Sequence, residues 1–365
     1  MAPRGLDSNL TLALRLRNNL DWAGGCRMVL NPRTPSELLL YCVKRIECDL
    51  GGGRLSVGTG YICGIAHSSG MMVPILITNK HVLEGANKIR VCIHTGLNGS
   101  DEAPDGGIAF VEIPAILATT VLHDDPTVDL CGILLGPLIN FWKQVNPGRS
   151  VYYKVIMDDL IYGPVETLDV CEQVTMVGCP NAIWDAHNGF PLFRRGFTAS
   201  PPASNFQGRR EFAVDIAVFS GSSGSPIFLM DSGPYTTADK PADIQFGRRF
   251  GLLGTLWGGP RITEEGTVEI KPAPTSAGAE VAVDVRMHLG YVIKASETAH
   301  LLKKAASEFG DIDLTAQKMV ETLKPPTAEA IRETFKRNAL CFCGSKMKYK
   351  HCHGKILSVE NRPAS

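Results

Sequence analysis

A chain of 365 residues, 44% of them hydrophobic, can bury the core of one large domain and still carry a smaller unit. Lysine plus arginine equals aspartate plus glutamate at 37 each, so net charge gives no argument for nucleic acid or a membrane surface. No stretch approaches the roughly 20 apolar residues of a membrane span. Residues 1–20 lack the continuous apolar core and small-residue cleavage site of a secretory signal. Eleven cysteines, an odd number without a paired-loop pattern, read as reduced thiols, which predicts a cytoplasmic protein.

In chain order, residues 8–20 have the N-cap and apolar spacing of one amphipathic helix within an N-terminal extension, 1–37. From 38 to 296, short apolar strands alternate with Gly/Pro loops, a rhythm that predicts a mainly β domain. Three polar positions interrupt it at strand-to-loop junctions. Ile75-Leu76-Ile77 ends in Thr78-Asn79-Lys80-His81, where an imidazole can protrude as a general base. Asp129 opens the apolar run Leu130 to Leu135, half-buried and able to face an imidazole, whereas Asp124 and Asp125 read as solvated loop acids. Gly221-Ser222-Ser223-Gly224-Ser225-Pro226 follows the run Phe212 to Phe219 and presents a serine on a tight glycine turn. The Gly221 and Ser223 amides of such a turn can face a developing oxyanion. Two stretches rich in Pro, Gly and charge, 231–249 and 259–280, read as long loops, either lids or tolerated surface.

Beyond the β region, 297–323 turns helical, with Leu301, Leu302, Ala305 and Phe309 on one face. Residues 324–327 form a linker, and 327–339 a further short helix; 297–330 is thus a helical linker. The segment 331–355 contains Cys341-Phe342-Cys343-Gly344 and His351-Cys352-His353, a set of sulfur and imidazole donors suited to tetrahedral zinc. So short a segment cannot bury a core, so metal would supply its folding free energy. The segment is also basic, with Lys346, Lys348 and Lys350 among seven cations facing only Glu333. That suits docking to phosphate or acidic protein, or simply a solvated surface. Residues 356–365 are a tail.

Gly58-Thr59-Gly60-Tyr61, Ile77 to Val82, Val128-Asp129-Leu130 and Gly221 to Pro226, in that order, resemble a trypsin-like serine peptidase of the bacterial, HtrA-type version. Val177-Gly178-Cys179-Pro180 resembles the family's strand before the nucleophile loop, and Gly251 to Gly258 the strand that lines the substrate. The resemblance covers about residues 40 to 295. It implies two six-stranded antiparallel β-barrels, the triad His81, Asp129 and Ser223, an oxyanion hole at Gly221 and Ser223, and protein or peptide substrates. It places Ala217, Leu256, Trp257 and Gly258 at the substrate pocket. Ala217 stands where trypsin has its acidic pocket floor, which implies a small or medium apolar preference, although Asp215 can share its face. Ser222 replaces the aspartate that pairs with a freshly cut N-terminus, so that mode of activation is not expected.

The tail resembles the SEC-C motif, which implies zinc on Cys341, Cys343, Cys352 and His353, with His351 a rival ligand that the family pattern disfavours. In translocation motors such motifs are associated with chaperone and ribosome binding, so a protein or ribosome partner is implied for this segment. The competing function is a catalytically silent protease-fold adaptor whose working part is the zinc knuckle.

Overall fold

The structure is a computed structural model. It describes residues 29–66, 72–97, 103–114, 120–180, 183–268, 279–286 and 288–309. The chain divides into two compact units, Met1–Ile312 and Asp313–Ser365. The expected helices at 8–20 and 327–339 and the tail 331–365 lie outside the described residues, as does the predicted helix of 297–323 beyond residue 309.

Helix α1 (Pro35–Cys42) is capped by Thr34, whose hydroxyl accepts the Glu37 N–H at 3.3 Å while the Glu37 carboxylate accepts the Thr34 N–H at 3.1 Å. It straddles the expected boundary at 37/38. Strands β1 (Val43–Gly51), β2 (Arg54–Ala66) and β3 (Met72–Thr78) follow as an antiparallel meander, and then the single turn α2 (Lys80–Leu83). Strands β4 (Lys88–Leu97), β5 (Pro104–Pro114), β6 (Thr120–Leu122), β7 (Cys131–Leu134) and, after helix α3 (Gly136–Val145), β8 (Arg149–Tyr152) complete the first sheet. Its order is β5-β4-β1-β2-β3-β7-β6, with β8 paired to β4. Ile46, Ile62, Leu76, Val91, Ile133 and Trp142 fill its core.

The second sheet takes β9 (Gln173–Gly178), β10 (Leu192–Thr198), β11 (Glu211–Asp215), β12 (Pro226–Thr237) and β13 (Lys240–Gly258). After a separate hairpin, β14 (Arg261–Val268) with β15 (Ala279–Arg286), strand β16 (Leu289–Lys294) closes it as β10-β11-β16-β13-β12-β9. Val174, Met176, Val214, Ile227, Leu253 and Val292 form its core. The mainly β architecture on two antiparallel sheets is as expected. The second sheet is a six-stranded barrel; the first differs from the expected six by having eight strands, with the short strands β6 at one end, on β7, and β8 on β4, off the main order.

The two expected long loops differ from the reading as well. Residues 231–249 continue β12 and β13 as one ladder, from Asp231↔Arg249 to Thr237↔Lys240, and residues 261–268 and 279–280 of the second stretch are paired strand in the β14–β15 hairpin. Helix α4 (Ala295–Phe309) packs back on the sheets through Leu301, Leu302 and Ala305. The buried Tyr61 hydroxyl of β2 lies 2.7 Å from Thr255 Oγ1 of β13 and 3.1 Å from Thr298 Oγ1 of α4, joining both sheets to the helix. No helix among the described residues is long and apolar enough to cross a membrane.

Candidate active site

His81 sits in α2, one turn beyond the end of β3, where the sequence predicts a polar turn rather than a helix. Its N–H donates to Asp129 Oδ1 at 3.1 Å, and its Nδ1 meets Asp129 Oδ2 in a short contact. A carboxylate only accepts, so Nδ1 carries a proton, and in the neutral ring the lone pair is on Nε2. Asp129 is fixed in turn by Asn79, whose Nδ2 donates to the Asp129 carbonyl at 2.7 Å. His81 is exposed and Asp129 half-buried, so the pair lies at the surface and not in the core.

Ser223 comes from the other sheet, on the turn between β11 and β12. Gly221 at φ +87° and Gly224 at φ +85° take the backbone conformation this turn requires. The turn is held by backbone bonds from Gly224 N–H to Leu256 O at 2.8 Å and from Leu256 N–H to Ser225 O at 2.9 Å. Among the described residues, the Gly221 and Ser223 N–H groups have no acceptor. Ser222 is fully buried, and its hydroxyl accepts the Phe219 N–H at 3.4 Å, a local bond within the turn.

Thr59 of β2, a residue that the sequence reading left without a role, joins the two halves. Its N–H donates to Ser223 O at 2.8 Å and its hydroxyl to Gly221 O at 2.9 Å. That hydroxyl also accepts the Cys179 N–H at 3.0 Å, while the Thr59 carbonyl accepts from Thr78 Oγ1 at 2.8 Å. Thr78 is three residues before His81, so one buried threonine connects the serine turn with the histidine turn. The signal for it was present in Gly58-Thr59-Gly60, where small flanks allow close backbone approach. A Cβ on Gly60 would stand 2.9 Å from Ile77 O.

The structure brings His81 and Asp129 together. It does not join Ser223 to His81 by a hydrogen bond: the Ser223 hydroxyl donates to the Trp257 carbonyl at 3.3 Å. Of the expected pocket residues, Leu256 is buried, and Trp257, Gly258 and Ala217 are half-buried. Trp257 lies at a register shift between Leu256↔Val292 and Gly258↔Tyr291, which turns its carbonyl towards the serine. Its ring stacks 5.9 Å from Tyr291, and the Arg209 guanidinium lies 5.1 Å above it. Val218, not named by the sequence reading, packs near this backbone: a Cβ on Gly259 would meet Val218 Cβ at 3.5 Å, and one on Gly290 would meet Leu256 Cδ1 at 2.7 Å and Val218 Cγ2 at 2.9 Å. Asp215 is exposed while Ala217 is half-buried. Lys80, next to the histidine, has its pKa lowered by burial, with the Asp129 carboxylate opposing the shift.

Cys341, Cys343, Cys352 and His353 lie outside the described residues. Among the described residues no group of three His, Cys, Asp or Glu side chains could hold a metal ion.

The family model of the SEC-C motif matches residues 337–355. No curated protein matches the chain. Among solved structures, similarity extends to a serine endoprotease from Yersinia pestis, at 14% identity over 76% of this chain and 68% of that one, with a TM-score of 0.40. A protease from M. tuberculosis in its active form is 17% identical over 77% of this chain and 90% of that one, with a TM-score of 0.36. An HtrA-type protease with a decapeptide is 12% identical over 76% of this chain and 67% of that one, at 0.39.

Proposed function

We propose that the chain is a serine endopeptidase of a bacterial cytoplasm that cuts protein or peptide substrates through an acyl-enzyme. The observation that carries this reading is the His81 Nδ1 contact with Asp129, which points Nε2 away as the base, taken with a serine turn that has glycines of positive φ at Gly221 and Gly224. Ser223 first turns off the Trp257 carbonyl. His81 Nε2 then takes its proton as Ser223 Oγ bonds to the scissile carbonyl carbon. Asp129 holds the imidazole in the needed tautomer and stabilises the imidazolium. The carbonyl oxygen, now negative, accepts from the free Gly221 and Ser223 N–H groups. His81 returns the proton to the leaving amine, and water attacks the acyl-enzyme by the same steps reversed. Ala217, Leu256, Trp257 and Gly258 line the pocket in this reading, and a small or medium apolar side chain suits them. Ser222 has no carboxylate to pair with a new N-terminus, so the enzyme is not switched on by that cleavage.

In the C-terminal segment, Cys341, Cys343, Cys352 and His353 would hold a structural zinc ion, and the surrounding lysines would dock a protein or ribosome partner. Three thiolates and an imidazole match what tetrahedral zinc takes.

A second reading is favoured by one bond. With its hydroxyl held by Trp257, the chain is a protease-fold adaptor, silent or conditionally active. A fluorophosphonate probe separates the two: the enzyme reading expects covalent labelling of Ser223 that is abolished in Ser223→Ala. Folded parent protein that never labels sinks it.

A further inference from the structure

The loop that delivers Asp129 is clasped from outside by α4. Between β6 and β7 the chain closes on itself, with the His123 N–H donating to Leu130 O at 3.1 Å and the Asp125 N–H to His123 Nδ1 at 3.1 Å. Because Nδ1 accepts, His123 carries its proton on Nε2, and that atom lies 3.3 Å from Glu297 Oε2 of α4. Both side chains are almost fully enclosed, and the polar N–H of the neutral ring lies beside the carboxylate without a hydrogen-bond alignment. The same Glu297 oxygen forms an ion pair with Arg210 Nη1 at 3.1 Å, and Arg210 also grips Asp125. One turn on, His300 Nε2 donates to Asp124 at 3.0 Å, and Lys304 donates to the Leu122 carbonyl at 3.0 Å. On the inner side, Lys80 donates to the carbonyls of His123 at 3.4 Å and Asp125 at 3.2 Å. Glu297, His300 and Lys304 are spaced three and four apart and so share one helix face.

We propose that Glu297 is a positioning residue for Asp129: through His123 and Arg210 it clamps the loop that sets the Asp129 carboxylate against His81. This rests on the peptidase reading above. The serine turn is fixed from the opposite side by Thr59, so loss of Glu297 loosens the acid and base while leaving the nucleophile in place. A buried carboxylate beside both Arg210 and His123 cannot be removed quietly, because Arg210 loses its enclosed counter-charge and the His123 N–H the anion next to it. Small displacements at such a site cost rate steeply.

The test is the second-order rate of fluorophosphonate labelling of Ser223 in the full chain. Glu297→Ala is expected to slow labelling about 30-fold while the fraction finally labelled stays that of the parent. Glu297→Gln, which keeps the side chain's volume and a carbonyl dipole beside His123 and Arg210, recovers most of the rate. In an Asp129→Ala background Glu297→Ala adds no further loss, because both act through one carboxylate. Arg210→Ala, at a half-exposed position, gives a second route to the same loss should Glu297→Ala not fold. A labelled parent whose Glu297→Ala and Arg210→Ala variants react at the parental rate, or an Asp129→Ala background in which the Glu297 effect persists in full, overturns the proposal. A parent that never labels overturns the peptidase reading and this inference with it.

Discussion

Lys44 of β1 is 2% exposed, and among the described residues no carboxylate pairs with it. Its Nζ lies 2.9 Å from His94 Nδ1 of β4. The His94 Nε2–H donates to the Asn188 carbonyl at 3.1 Å, which makes Nδ1 the acceptor, and burial keeps His94 neutral. Burial lowers the Lys44 pKa from 10.5 to about 8, against the pull of the Cys92, Cys42 and Cys179 sulfurs. Between those two values the unfolded chain binds more protons at this lysine than the native one. Stability therefore rises with pH there, and the cost of burying the ammonium is fully present below about pH 8. Urea unfolding of the parent and Lys44→Met at pH 7 and pH 10 should show the parent gaining about 2 kcal/mol on the variant as pH rises. An equal gap at both values would mean that the ammonium is not desolvated as described. A lone lysine near the start of an apolar segment looks solvated in sequence, since nothing local shows that β4 will cover it.

At the scale of elements, the two sheets meet through the contact of β2 with the serine turn. A Cβ on Gly224 would fall 1.9 Å from the Thr59 carbonyl and 2.6 Å from Thr78 Oγ1, at a φ that side chains rarely adopt. Gly224→Ala must therefore push the serine turn off β2 and break the Thr59 N–H bond to Ser223. The expected result is a loss of about 1–3 kcal/mol in chemical unfolding together with Ser223 labelling slowed at least tenfold. A variant as stable and as reactive as the parent would show that the turn has room the structure does not give it. The histidine and aspartate were legible because each breaks an apolar run at a strand end, where periodicity marks the boundary. Thr59 was quoted in a motif but its function was not, because its partners Cys179, Gly221 and Ser223 are more than 100 residues away and only the packed sheets bring them near. The β12–β13 arm was misread for a related reason. Pro234, Gly233 and the charges of 238–243 read as loop, but the ladder bonds are local to the hairpin, and Arg249 anchors its base to Glu172 at 2.8–2.9 Å and to Asp231 at 3.2 Å. Helix α1 had a visible signal, Thr34-Pro35-Ser36-Glu37, which is a capping box with proline at the first turn.

For the whole molecule, two kinds of chemistry fall in two compact units. The first unit contains the candidate active site, whose proposed acyl-transfer steps use a hydroxyl, an imidazole, a carboxylate and two amides. The second contains the SEC-C match, with three cysteines and a histidine within thirteen residues, too short a stretch to fold by apolar burial. Metal binding there would be worth on the order of 10 kcal/mol of folding free energy, enough to order the segment and small enough to be lost to a chelator. If the units work by these separate means, their responses should part. The full chain should carry about one zinc per molecule by elemental analysis, and Cys341→Ser with Cys343→Ser should remove it. Ser223 labelling should proceed at the parental rate in that variant and in parent protein treated with a chelator. Zinc that persists after both cysteines are replaced would move the site elsewhere in the chain. Labelling that falls as zinc is withdrawn would show instead that the tail governs the active site, and would make the zinc-bound segment the switch of a conditional protease.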